Sequence, residues 1–232
     1  MEPILELEQV TKKYGRKKAL DRVTLRLDKG KIIGLLGSNG SGKTTLLKLA
    51  AGIAFPTSGK VRIGGIDAGL QTKSLVSFLP DQSVLESWMR VKDAVRYYRD
   101  FYPDFKEEKA QSMLEFMKLQ PNDRVTALSK GMRERLEVVL VLSRSARLYL
   151  LDEPIGGVDP VARGKILDAI VQFFDEDSTL VVCTHLVSDM ERVFDEVVFI
   201  REGEMILQEE VESIRVNRGL SIDGLYKEVY GE

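Results

Sequence analysis

The residues best suited to chemistry begin at Gly37-Ser38-Asn39-Gly40-Ser41-Gly42-Lys43-Thr44-Thr45. Glycines at this spacing let the backbone turn tightly, so several N–H groups converge on one cluster of phosphate oxygens. Lys43 then supplies a point charge for the β- and γ-phosphates, and the Thr44 hydroxyl is placed to hold Mg²⁺. A second set is Arg147-Leu148-Tyr149-Leu150-Leu151-Asp152-Glu153, an apolar run ending in two carboxylates. Asp152 fits the aspartate that holds Mg²⁺ in such sites. Glu153 would lie beside the γ-phosphate and polarise an attacking water as general base. Alone, this run would read as a strand ending in solvated acids; the phosphate loop upstream favours the chemical reading. Between the two lies Leu128-Ser129-Lys130-Gly131-Met132-Arg133. A small-residue turn opening a helix is another phosphate-binding shape, and equally an ordinary capped helix start. His185, the only histidine, follows the apolar run Leu180–Cys183. Together these groups predict a site for a nucleoside triphosphate.

Such groups need elements to hold them. Ile32–Leu36 is a short apolar run that reads as a buried strand, and Leu46–Ala51 is helix-like, so the glycine-rich loop joins a strand to a helix. The helix N-terminus adds a partial positive charge. Ile4–Val10 and Val23–Leu27 alternate apolar and polar residues, as half-buried strands do. Val61–Ile63 and Leu75–Leu79 are further short strands. From about Val91 to Arg144 the pattern is helical. Asp104 with Glu107 three residues on predicts a capping-box start, followed by Met113, Leu114, Phe116 and Met117. Ser129 is placed to cap the next helix, which carries Leu136, Val139, Leu140 and Leu142. Leu148–Leu151 returns to strand. Asp159-Pro160 sets an N-cap before a proline at the first helical position, and Ile166, Leu167, Ile170, Val171 and Phe174 fall on one helical face. Leu180–Cys183 and Val197–Ile200 read as buried strands, and Ile222, Leu225 and Val229 as a weakly helical tail. The expected fold is α/β: a P-loop NTPase core at 1–82 and 146–232 with an antiparallel β subdomain, interrupted by an all-helical subdomain at 83–145.

Bulk properties narrow the function. The 232 residues make one or two domains, and 44% apolar content is enough for an ordinary core. With 34 basic against 36 acidic residues, no global positive field exists to hold nucleic acid. The cluster Lys12, Lys13, Arg16, Lys17 and Lys18 reads as a solvated loop near an anionic ligand. The lone Cys183 forms no internal disulfide, suits a reducing compartment and reads as core packing. The longest apolar run, Val138–Leu142, is far shorter than the roughly 18 residues of a membrane span. The acidic start Met1-Glu2 lacks the basic opening of a signal peptide. The expectation is a cytoplasmic protein that reaches a membrane only through a partner.

The order of these motifs resembles the nucleotide-binding subunit of an ATP-binding cassette (ABC) transporter, over essentially the whole chain. The resemblance implies that Tyr14 stacks on adenine and that Gly37–Thr45 is the Walker A motif. Gln82, in Leu79-Pro80-Asp81-Gln82, would contact Mg²⁺ and the attacking water. Leu128–Met132 corresponds to the signature usually written LSGGQ, and Leu148–Glu153 to the Walker B with its catalytic glutamate. Ile155-Gly156-Gly157-Val158-Asp159 matches the D-loop, and His185 the switch histidine that bonds the γ-phosphate. The signature departs from the pattern: Lys130 replaces its first glycine and Met132 its glutamine. Ser129 and Gly131 remain, the positions expected to meet a partner's γ-phosphate, and Lys130 adds positive charge there. The implied assembly is a head-to-tail homodimer with ATP and Mg²⁺ between subunits, each chain giving both halves of a site, working with a separate integral membrane permease. The LSKGM form and Phe101-Tyr102-Pro103-Asp104-Phe105 resemble bacterial exporter ATPases of the YtrB-like kind, closest to exporters of phenol-soluble modulins, which are amphipathic peptides. The other reading is a soluble ABC ATPase of an assembly or repair system. Repair cassettes carry long coiled coils, for which residues 83–128 are too few, and the tail after Glu210 is too short for an importer-like regulatory domain. Ser83–Val91 holds the only tryptophan, Trp88, with Val84, Leu85 and Met89. It reads as core of the helical insertion or as the wall of a groove for a cytoplasmic helix of a membrane subunit.

Overall fold

A computed structural model describes residues 3–231; the acidic start at Met1 and Glu2 lies outside the described residues. The elements in chain order are β1 (Leu5–Tyr14), β2 (Lys17–Leu27), β3 (Ile32–Leu36), α1 (Lys43–Ala50), β4 (Ser58–Ile63), β5 (Ile66–Asp67) and β6 (Val76–Leu79). Three successive helices follow, α2 (Val91–Phe101), α3 (Glu107–Phe116) and α4 (Lys130–Leu142). The chain then continues through β7 (Leu148–Asp152), α5 (Pro160–Phe173), β8 (Thr179–Thr184), α6 (Val187–Met190), β9 (Glu196–Arg201), β10 (Glu204–Glu210), α7 (Val211–Arg218) and α8 (Ile222–Tyr230).

Two sheets form. One has the order β2-β1-β4-β5 and is antiparallel throughout. The other has the order β10-β9-β3-β8-β7-β6, with five parallel strands and β10 antiparallel at one edge. Side chains alternate across a strand, and here each face meets a different core. Ile33 and Leu35 of β3, Leu148 and Leu150 of β7, and Val181 and Cys183 of β8 pack with α1 and the antiparallel sheet. Their neighbours Ile32, Leu36, Tyr149, Leu151, Leu180 and Val182 pack with the helices on the opposite side. Burial of both faces is why these strands read as unbroken apolar runs. Among the described residues, no helix is long and apolar enough to cross a membrane.

Three local expectations are corrected. Asp104 caps nothing: α3 begins at Glu107 behind Lys106, without a side-chain cap. Arg144 takes Asp104 instead, its Nε 3.2 Å from Oδ1 and its Nη2 3.1 Å from Oδ2. The same guanidinium donates to the Val76 carbonyl at 2.8 Å and lies 4.1 Å from the centre of the Tyr102 ring. A planar fork that reaches two sides at once fixes the loop before α3 to the start of β6. Val171 is 61% exposed, so the buried face of α5 is narrower than predicted and rests on Ile166, Leu167 and Ile170. The β1–β2 hairpin also runs past the alternating stretches, because its polar arms still pair through the backbone from Lys12 opposite Leu20 to Tyr14 opposite Lys17.

Two stability predictions follow from the buried charges. Arg144→Met should lower the unfolding free energy by about 3 kcal/mol, because Asp104 is left without its partner. Arg144→Lys should recover little, since an ammonium cannot fork; denaturant titration reads both. Burial pushes the carboxyl of Glu134 on α4 up to about 7, against a pull downward from Lys130. The folded state therefore holds this proton more tightly. Its contribution is complete below the unfolded value near 4.5 and is lost as pH rises through about 7. Glu134→Gln should be more stable than wild type at pH ~8, by about 1–2 kcal/mol after solvent screening. That advantage should vanish at pH ~5.

Candidate nucleotide site

The site lies where the parallel strands end. The last residues of neighbouring strands are in register: Leu36 of β3 beside Thr184 of β8, Asp152 of β7 beside Cys183, and Leu79 of β6 beside Leu151. Each strand therefore delivers its next residues to one edge, where ligands bind in open α/β sheets. The groups delivered are the glycine-rich loop, Asp81, Glu153 and His185. A cavity of about 280 Å³ opens there, walled by Tyr14, Asn39, Gly42, Lys43, Asp81 and Glu153 among others.

Within the loop, two positions require glycine. A Cβ on Gly37 would lie 2.3 Å from the Ile200 carbonyl oxygen. Gly42, the N-cap of α1, has φ of +112°, and a Cβ there would lie 2.5 Å from the Ala19 carbonyl oxygen. The loop can thus sit tight against the β1–β2 hairpin and β9 and aim its backbone inward. Lys43 is 5% exposed and donates to the carbonyls of Gly37 at 2.7 Å and Ser38 at 3.0 Å. Ser38 and Gly40 form the turn itself, Asn39, Gly40 and Thr45 line the cavity, and the buried Ser41 hydroxyl has no partner within the protein.

The oxygens below the loop suit a divalent cation. The Thr44 hydroxyl donates to Asp152 Oδ1 at 3.2 Å, while the buried Oδ2 has no hydrogen-bond partner. Burial pushes the Asp152 carboxyl up, offset in part by the neighbouring Cys183 thiol and Thr44 hydroxyl. A desolvated carboxylate with a vacant lone pair beside a hydroxyl is a hard, oxygen-only donor set of the kind Mg²⁺ takes. Cys183 is inert here, because burial drives its thiol far above its ordinary value.

Glu153 has φ of +53°, in the left-handed region that a glutamate rarely adopts. Strain of this kind is held in place by its surroundings, here a bond from the Glu153 N–H to the Cys183 carbonyl at 2.8 Å. The bend turns its side chain into the cavity. Oε1 lies 3.0 Å from His185 Nδ1, and Oε2 is buried without a partner. One oxygen is thus oriented by His185, and the other is buried without a partner in the protein.

Tyr14 closes the far end, half exposed, with Lys12 Nζ 4.9 Å from its ring centre. Gln82, by contrast, is exposed and lies outside the cavity wall; Asp81 stands there instead. Lys17 also lines the cavity and was legible only as part of a basic cluster. Ser129, Lys130 and Gly131 contribute nothing to this wall. Ser129 caps α4 by accepting from the Met132 N–H at 3.2 Å. Gly131 faces Ala162, with only 3.0 Å for an added Cβ. Lys130 lies 3.8 Å from Glu134 and over Gly157.

Known proteins agree with this geometry. The profile of the ABC transporter family matches residues 20–156. The ABC transporter ATP-binding protein YtrB of Bacillus subtilis is 30% identical over 87% of this chain and 70% of its own length. The lantibiotic transport ATP-binding protein SrtF of Streptococcus pyogenes is 28% identical over 89% of this chain and 91% of its own. Among solved structures, the ATP-binding subunit of an ABC transporter superposes with a TM-score of 0.87 at 26% identity, covering 98% of this chain and 99% of that one. A dimeric bacterial ABC transporter cassette shares the fold, with a TM-score of 0.79 at 23% identity over 89% of this chain and 98% of that one. With a phosphate loop, two strand-end carboxylates and a histidine meeting at one edge, the chain belongs to the ABC transporter family as an ATP-binding cassette with ATPase activity.

Proposed function

We propose that this chain hydrolyses ATP to drive transport, with export of an amphipathic peptide as its task, through a separate membrane subunit. The observation that carries the chemistry is the Glu153–His185 pair beside Lys43 and Asp152. Lys43 meets the β- and γ-phosphates, and Tyr14 stacks on adenine. Asp152 and Thr44 would hold Mg²⁺, with Gln82 or its neighbour Asp81 from the loop after β6, and the ion would neutralise phosphate charge. Glu153 orients water through its carboxylate and takes its proton as the new oxygen–phosphorus bond forms. The bond from the γ-phosphorus to the bridging oxygen breaks, and ADP leaves with that electron pair. His185 fixes the glutamate and bonds the γ-phosphate.

The signature turn lies outside its own chain's cavity, which supports its use in a partner's. Ser129, Lys130 and Gly131 then grip the γ-phosphate of ATP held by a second, head-to-tail copy. ADP offers nothing to grip, so ATP closes the homodimer and hydrolysis releases it. Residues 83–145 act as the helical subdomain that presents the turn.

The stroke leaves through an apolar groove of about 410 Å³, walled by Ile53, Phe78, Pro80, Val84, Leu85 and Tyr97 among others. Trp88 is 69% exposed beside it, not in the core of the helical insertion. An amphipathic helix from the cytoplasmic side of a permease fits such a groove. Peptide export draws support from relatives such as the lantibiotic transport protein.

Co-purification of the tagged chain from its native cells in detergent, with mass spectrometry, should recover a stoichiometric multi-span protein; recovery of soluble assembly factors would move the function to a soluble ABC ATPase. Glu153→Gln should bind ATP but hydrolyse it about 100-fold or more slowly, and run as a dimer in size-exclusion chromatography with ATP. Turnover at the wild-type rate would sink the base assignment. Asp81→Ala should lower ATPase activity at least about tenfold and raise the Mg²⁺ requirement, while Gln82→Ala stays within about twofold. The reverse order would restore Gln82 to the metal role.

A further inference from the structure

The segment after β6 touches three places in succession. Asp81 walls the nucleotide cavity, Pro80 and Asp81 wall a small cavity of about 70 Å³ beneath the Walker B carboxylates, and Val84 and Leu85 wall the apolar groove. It is a loop without secondary structure, exposed along much of its length. A loop of that kind transmits a displacement only where something stiff holds it.

One side chain does so. Glu137 lies in the middle of α4, 6% exposed, between the buried residues Leu136 and Val138. It accepts a hydrogen bond from the Ser83 hydroxyl through Oε1. That donor belongs to the loop. The other charges facing it are Arg133, one turn back on α4, and Glu134 beside it. The Ser83 oxygen also accepts from the Leu85 N–H at 3.3 Å, so the bond closes a compact turn rather than a single contact. An apolar side chain would fit this stretch of α4 at no desolvation cost. A carboxylate there, bonded to that loop through Ser83, fixes where the loop sits. About two helical turns separate Glu137 from Ser129, which caps the same helix.

We propose that Glu137 is a positioning residue that latches the Asp81–Leu85 segment to α4, so that the nucleotide cavity, the signature turn and the groove move as one unit. The latch gives the groove a rigid connection to both phosphate-binding ends of the chain. Its use in transport rests on the reading that the groove receives a membrane subunit, but the latch itself can be read in the isolated chain.

Trp88 is the chain's only tryptophan and sits at the end of this loop, so its emission reports the loop alone. The test takes the full chain carrying Glu153→Gln, adds ATP with Mg²⁺, and records Trp88 emission together with ATP affinity by calorimetry. Glu137→Ala and Ser83→Ala should each remove at least about half of the ATP-induced change. The double variant should lose no more than either single one, as partners in one contact do. ATP affinity should stay within about threefold, since neither residue walls the nucleotide cavity. Glu137→Gln should keep the response, because its carbonyl still accepts from Ser83. Ser83 is exposed, so its variant reads the latch even if Glu137→Ala does not fold. An undiminished Trp88 response in Ser83→Ala, additive losses in the double variant, or ATP binding weakened about tenfold or more would each overturn the proposal. So would a parent chain whose Trp88 does not respond to ATP. None of these results depends on whether a permease co-purifies.

Discussion

The site depends on the parallel register of β3, β8 and β7. Parallel strands end side by side, so the residues that follow them share one edge without any long-range loop to bring them there. That register is imposed by burial, not by the site. A shift of one residue would carry Leu35, Leu150 and Cys183 out of the core shared with α1 and into the one shared with α4 and α5. The strand packing thus fixes where Gly37, Glu153 and His185 stand before any nucleotide arrives. A catalytic arrangement assembled this way costs little reorganisation when the substrate binds.

The same edge concentrates negative charge under low exposure. Asp152 and Glu134 both carry raised carboxyl values because burial disfavours their ionised forms, and each leaves an oxygen without a hydrogen bond. Such groups lower stability in the free chain. A cation entering beside Asp152 would offset part of that cost, because the attraction would act through a poorly screened interior. Lys43 meets this need only in part, since its ammonium is held by the carbonyls of Gly37 and Ser38.

Much of this was legible in the sequence, for reasons that differ by residue. Contiguous motifs carry their own geometry: the glycine-rich loop, the Walker B run and the Asp159-Pro160 cap each specify local structure from neighbours a few residues away. The strands were legible because two buried faces leave unbroken apolar runs. What failed was non-local. Asp104 has the right spacing to cap α3 but is claimed by Arg144, just beyond the C-terminus of α4. Val171 fits an apolar face whose width is set by what packs against α5. The polar hairpin arms of β1 and β2 pair through backbone groups, which side-chain patterns do not report.

Glu153 connects the rigid part of the chain to its moving part. Its bent backbone is tied to Cys183 in the sheet, while its carboxylate meets both the nucleotide cavity and the small cavity under Lys130 and Glu137. The residues after it, Gly156 and Gly157, run directly into the turn beneath Lys130, and Asp159 then caps α5 with bonds of 3.0 Å to the Val161 and Ala162 N–H groups. In the proposed cycle, hydrolysis would alter the charge beside Glu153, next to the helix that carries Ser129 on one side and α5 on the other. The sheet is close-packed on both faces, so the elements left to respond would be the helices and the loop after β6. This divides the chain into a frame that positions the reaction and a set of elements that respond to it.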